Sequence, residues 1–174
     1  DGRRLALAAS GAGNTTLWVA DLAAGVSTRL TRDSTSETAP LWSPDDRYLV
    51  FRSARGGGGL FRQRADGVGP VEQLTASDGT LHTPHGFTPD GDTLLFTAFR
   101  SYTEQAIEAV DVARPLVTRR LVDGAGAQLR PAVSPDGRWL AYQADESGQF
   151  EIYVRPYPDV NRSRVQVSRG GGTS

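Results

Sequence analysis

At 174 residues the chain is long enough for a domain with a packed core. Its 38% hydrophobic content and net charge of −1 exclude a disordered tail and argue against a nucleic-acid-binding surface. The absence of cysteine excludes disulfides, thiolate nucleophiles and cysteine zinc sites, and no apolar run reaches the roughly 20 residues that cross a bilayer, so direct membrane insertion is not expected.

Two further absences narrow the origin. With no methionine the sequence reads as a piece of a longer reading frame, and with no lysine all 19 basic residues are arginine. Arginine for lysine beside abundant glycine and alanine fits a GC-rich bacterial genome. The arginines are scattered, which is unlike a phosphate-binding face.

In chain order the predicted elements form a repeat. After Asp1-Gly2-Arg3 come short strands at Arg4–Ala9, Leu17–Asp21 and Thr28–Thr31. The second unit opens with a strand at Thr38–Ser43 and a turn at Pro44-Asp45-Asp46-Arg47. Proline presets φ in that turn, and the aspartate side chain bonds backbone amides ahead of it. Tyr48–Ser53 follows, with Leu49 and Phe51 on one face and Val50 on the other, the pattern of a strand buried on both sides. A flexible glycine-rich loop at 55–58 leads to strands at Leu60–Arg64 and Val71–Thr75. The third unit repeats the order with strands at Thr83–Thr88, Thr93–Ala98, Ile107–Asp111 and Arg119–Val122. The fourth does so with Leu129–Ser134, Trp139–Ala144, Glu151–Arg155 and Arg164–Ser168.

The turn motif recurs as Ser43-Pro44-Asp45-Asp46, Thr88-Pro89-Asp90-Gly91 and Ser134-Pro135-Asp136-Gly137. Successive aspartates, counted from Asp1, lie 44, 45 and 46 residues apart. A period in the forties with four short strands per unit predicts an all-β fold, a β-propeller of four-stranded antiparallel blades. The units run about 1–37, 38–82, 83–128 and 129–174, and the first has no inner strand, giving fifteen strands in four blades. Propellers close with about four to eight blades. The chain is therefore expected to be a fragment or half of a larger propeller, or a piece that self-associates through its open edges. Two copies would supply eight blades.

The pattern Pro40-Leu41-Trp42-Ser43-Pro44-Asp45 with Leu49, Phe51, Leu60-Phe61 and Leu74-Thr75 resembles the TolB-like propeller repeats of bacteria. So does Pro131-Ala132-Val133-Ser134-Pro135-Asp136-Gly137 with Leu140, Tyr142 and Ile152-Tyr153-Val154. Asp46 departs from the turn glycine, and the third unit carries Phe87 where the second has tryptophan. The segment Glu151-Ile152-Tyr153-Val154-Arg155-Pro156-Tyr157-Pro158 resembles propellers fused to bacterial Ser/Thr protein kinases. That resemblance implies a sensory or protein-binding role, with a periplasmic or extracellular location in the case of a receptor kinase. Related repeats also form the propeller of prolyl-oligopeptidase-like peptidases.

Connectivity places the loops between second and third strands at the same end as the connections between blades. Arg55, His82, Arg100, Tyr102, Glu104, Asp145 and Glu146 gather there as candidate binding residues. His85 and Arg130, on the channel-lining inner strands, complete the set. His82 and His85, three apart on an extended strand, point to opposite faces, which disfavours a shared metal and favours solvated or channel-lining roles. Phe99–Gln105 joins arginine to tyrosine, a composition suited to recognition, though an ordinary polar hairpin explains it as well. Asp145-Glu146 lacks the spacing of a calcium loop. Trp18, Trp42 and Trp139 are assigned to core packing. No nucleophile elbow, zinc helix or dinucleotide fingerprint is present, so no catalytic residue, metal or cofactor is expected. The reading is a non-catalytic scaffold for a protein or small-molecule ligand. The alternatives are a propeller that gates a hydrolase or lyase site, and a repeat fragment that self-assembles into a closed ring.

Overall fold

A computed structural model describes residues 2–172 apart from 12, 33 and 123, so Asp1 of the first turn and the last two residues lie outside the described set. Fifteen strands form four antiparallel sheets. The first sheet has three strands, β1 (Arg4–Ser10), β2 (Thr15–Asp21) and β3 (Val26–Arg29), in that order. The second contains β4 (Glu37–Trp42), β5 (Tyr48–Ser53), β6 (Gly59–Arg64) and β7 (Glu72–Gln73). The third contains β8 (Leu81–Phe87), β9 (Thr93–Phe99), β10 (Gln105–Asp111) and β11 (Thr118–Arg120). The fourth contains β12 (Gln128–Val133), β13 (Trp139–Ala144), β14 (Glu151–Pro156) and β15 (Val165–Gln166). Each sheet meanders from an inner to an outer strand, and the first lacks the inner one among the described residues. This is the architecture of a partial propeller. The one helical piece among the described residues is a 3-10 turn at Arg55–Gly57.

The repeated turn is built the same way each time. In the second blade the Ser43 hydroxyl donates to Asp45 Oδ1, which also accepts the Arg47 N–H at 3.1 Å, while Tyr48 N–H donates to Ser43 Oγ at 2.9 Å. Thr88 with Asp90, and Ser134 with Asp136, repeat these bonds. The hydroxyl bonds hold the carboxyls of Asp45, Asp90 and Asp136 below the usual aspartate range. The last turn residue is left-handed throughout, with φ of 57° at Asp46, 79° at Gly91 and 71° at Gly137. Aspartate tolerates that region better than most residues with a Cβ, which explains how Asp46 replaces glycine.

Packing runs between sheets. Leu49 and Phe51 join Leu17, Val19 and Leu30 of the first blade, and Val50 and Leu60 join Leu94 and Phe96 of the third. Leu95 and Ile107 in turn meet Leu140 and Tyr142 of the fourth. Alternate residues of one strand therefore enter different cores, and burying both faces makes β5 and β9 nearly continuous apolar runs. The tryptophans divide: Trp42 packs against the core between the first two blades, and Trp139 departs from the core assignment. Trp18 and Trp42 are half-buried and Trp139 is 47% exposed, because Trp139 stands on the outer face of the last sheet.

Candidate functional site: the inner-strand wall

All three inner strands break register at the same place. The irregularities lie between Thr38 and Leu41, Pro84 and Gly86, and Leu129 and Ala132. Ala39 and Arg130, at equivalent positions in their blades, have φ of 53° and 51°. A bulge bends its strand and re-aims a side chain, and bulges concentrate near functional sites. Here they leave 39–40, 85 and 130–131 out of the ladder. Proline fills 40 and 131, and His85 stands in its place in the third blade.

His85 and Arg130 consequently meet. Both line a cavity of about 200 Å³ at the junction of β8 and β12, together with Thr83, Thr97, Phe99 and Gln105. His85 Nε2 is hydrogen-bonded to Thr97 Oγ1 at 2.9 Å. Burial, reinforced by the Arg130 guanidinium, lowers the His85 pKa to about 4, so its ring is neutral at physiological pH. A neutral imidazole beside an exposed guanidinium suits an anionic, planar ligand group such as a carboxylate.

The other candidates divide differently. His82 is 3% exposed, not solvated: its Nδ1 lies 2.8 Å from Thr75 Oγ1 and its ring packs against Phe96 at 4.9 Å. Thr75 Oγ1 also accepts the Leu60 N–H at 2.9 Å. Nε2 lacks a hydrogen-bond partner and lies 4.0 Å from Asp78. Burial pushes the His82 pKa down.

Arg55 turns inward and pairs with the fully buried Glu37 at 2.7 Å, and Ser77 Oγ donates to the Gly58 carbonyl in its loop. Arg100 likewise pairs with Glu108 at 2.7 Å, and Glu104 closes the hairpin through its backbone to Arg100 and Ser101. Tyr102 is 88% exposed and edge-on to Phe99. Asp145 accepts the Ala127 N–H at 2.7 Å, and Glu146 pairs with Arg164. The cationic and acidic loop residues thus serve largely as blade fasteners.

Sequence reasoning missed the buried polar column. Glu37, His82 and Gln128 occupy one position in successive blades, opposite Ser53, Ala98 and Ala144, and all three are buried. Their partners differ blade by blade. Thr75 serves His82, but Val122 stands where a hydroxyl is needed near Gln128, whose amide has no hydrogen-bond partner. Glu108 also went unnoticed, although it interrupts the aromatic series Trp18, Phe61 and Tyr153 at one repeat position.

Residues 1–116 match the family model described as the TolB beta propeller domain. The chain belongs to the TolB β-propeller family. Among curated relatives, an uncharacterised Agrobacterium fabrum protein is 33% identical over 132 residues, covering 70% of this chain and 44% of its own length. The uncharacterised peptidase YuxL of Bacillus subtilis is 29% identical, with 79% of this chain and 27% of its own length covered. The chain thus spans less than half the length of either relative. The crystal structure of TolB from Acinetobacter baumannii superposes with a TM-score of 0.75 over 95% of this chain and 41% of that one, at 20% identity, a likeness of fold alone. The TolB-like propeller is therefore assigned by its repeat, and its ligand is a separate matter.

Proposed function

We propose that this TolB-like propeller is a non-catalytic binding scaffold that recognises an anionic group, a carboxylate of a peptide or small molecule, on its inner-strand wall. The observation that carries the reading is the shared bulge, which brings Arg130 and the neutral His85 into one cavity. Rigid blades hold these residues, while the loop arginines Arg55 and Arg100 are paired with strand glutamates and the loop residue Glu146 with Arg164. Calorimetric titration with a short peptide bearing a free C-terminal carboxylate, and with its amidated form, tests this. Binding of the acid and not the amide, lost in Arg130→Ala, is expected. Alanine already stands at the equivalent Ala39 with the same backbone, so the variant folds. Equal binding of acid and amide, or binding unchanged by Arg130→Ala, would contradict the reading.

A sensory role in a receptor Ser/Thr kinase is the finer form of this proposal, and the Glu151–Pro158 segment is its support. A second reading, the propeller of a peptidase, is favoured by the likeness to YuxL. A hydrolase domain encoded beside this segment would support the second, and a kinase domain with a membrane span the first.

A further inference from the structure

A cavity of about 310 Å³ lies between the first two blades on their outer-strand side. Val19 and Leu30 of the first blade and Ala65 and Val71 of the second form its apolar walls, and Gln63 lies among them. Gln63 is 8% exposed, and its Oε1 has no hydrogen-bond partner. An unpaired buried polar atom is rare in a folded protein and needs a physical reason. The repeat supplies one. Leu49 pairs with Gln63 in the second blade as Leu140 pairs with Arg155 in the fourth, so the two positions are equivalent. Arg155 is also 8% exposed, but its guanidinium donates to Tyr142 Oη at 2.8 Å and to the Val160 carbonyl at 2.9 Å. In the second blade Phe51 stands where the fourth has Tyr142, and glutamine is shorter than arginine. The second blade therefore keeps a buried polar group at this position without the partners that satisfy it in the fourth.

The charge around the cavity has a sign. Of its charged lining residues, Arg55 is paired with Glu37 and Asp66 with Arg64. Arg29 also lines it and donates its Nε–H to the uncharged Thr31 carbonyl at 2.7 Å. Neither Arg29 nor Arg32, the fourth of these residues to carry positive or negative charge here, has a carboxylate partner among the described residues. We infer that this cavity binds a small organic oxyanion, a carboxylate or phosphate ester carried on an apolar body. Arg29 and Arg32 take the oxyanion, whose geometry a guanidinium fork matches. Val19, Leu30 and Val71 cover the body, and the Gln63 amide bonds a polar group upon it. An amide both donates and accepts, so a carboxamide on the ligand satisfies it. Apolar walls with a few placed polar groups are the usual make-up of a small-molecule site. The site shares no residue with the His85–Arg130 cavity and stands independently of it.

The test is calorimetric titration with para-carbamoylbenzoate and with para-carbamoylphenyl phosphate, beside the uncharged terephthalamide, with amide NMR spectra recorded in parallel. At least one charged probe is expected to bind and to shift the Gln63 side-chain amide signals, and the tighter of the two identifies the oxyanion. Terephthalamide is expected to leave those signals in place. Gln63→Leu, and the double variant Arg29→Gln with Arg32→Gln, should each weaken binding on the order of 10-fold. Gln63→Leu should melt no lower than the wild type, because it removes an unpaired polar atom and keeps the side-chain volume. Arg130→Ala should leave the affinity unchanged, which separates this site from the inner-strand wall. Failure of both charged probes to bind or to move the Gln63 signals would overturn the proposal. So would equal binding of terephthalamide, binding indifferent to Gln63→Leu and to the arginine substitutions, or a lowered melting temperature in Gln63→Leu, the sign of an amide already satisfied by water.

Discussion

Removing the Arg55 side chain is the sharpest test of the claim that loop charges fasten blades. Glu37 is completely buried, and its Oε1 accepts from Arg55 at 2.7 Å, from Thr35 at 2.8 Å and weakly from Ser53 at 3.4 Å. Removing one partner of a buried ion pair costs about 3–5 kcal/mol, because the remaining charge stays desolvated. Arg55 is 18% exposed and two hydroxyls remain, which lowers the figure to about 2–3 kcal/mol. Its guanidinium also lies over the rings of Phe61 and Phe51 at 5.3 and 5.8 Å, adding about 0.5–1 kcal/mol. Arg55→Ala is therefore expected to destabilise by about 3 kcal/mol, a fall in Tm of about 6–12 °C for a chain of this size. Glu37→Gln, which places in the second blade the residue found at Gln128, should cost about 1–2 kcal/mol. Urea unfolding of both single variants and the double variant, followed by tryptophan fluorescence, gives the coupling, expected at about 1–2 kcal/mol. A cost below about 0.5 kcal/mol for Arg55→Ala, with additive variants, would refute the reasoning and return Arg55 to the list of ligand-binding candidates.

Three further outcomes are expected. Asp46→Gly should be neutral or stabilising by up to about 1 kcal/mol, and Gly137→Ala should cost about 1–2 kcal/mol, since both positions are left-handed; reversed signs in thermal melts would contradict this. Phe51→Ala, fully buried beside Phe61, should cost about 3–5 kcal/mol, whereas Trp139→Ala should cost less than about 1 kcal/mol in the isolated chain; equal costs would misplace the core. The depressed His85 pKa stabilises the fold fully above the unfolded value near 6.5, and that stabilisation is lost as pH falls toward about 4. The loss, at most about 3 kcal/mol and about 1–2 kcal/mol after solvent screening, should shrink in His85→Gln; His82, shifted the same way, leaves a residual dependence. A pH profile unchanged by His85→Gln would count against its burial.

The fold was legible because each level of the sequence agreed. The Ser-Pro-Asp turn recurs at a nearly fixed spacing, and Leu49-Val50-Phe51 announces burial on both faces. The site was less legible, for physical reasons. A bulge that lifts Arg130 and His85 from their ladders depends on cross-strand register, which alternation within one strand does not reveal. Loop position marked Arg55 and Arg100 as binding candidates, but each pairs with a buried glutamate on a strand 18 or 8 residues away. Trp139 looked like core by its strand position in the repeat; its blade has no neighbour on that side among the described residues.

The proposed recognition site is the inner-strand wall and not the loop tips. Backbone and side-chain NMR shifts, mapped while the carboxylate-terminated peptide is titrated in, address it most directly. Perturbations are expected at Thr83–His85, Thr97 and Leu129–Arg130, including the His85 ring. Perturbations confined to the tips at 55–58, 101–104 or 145–148 would contradict it.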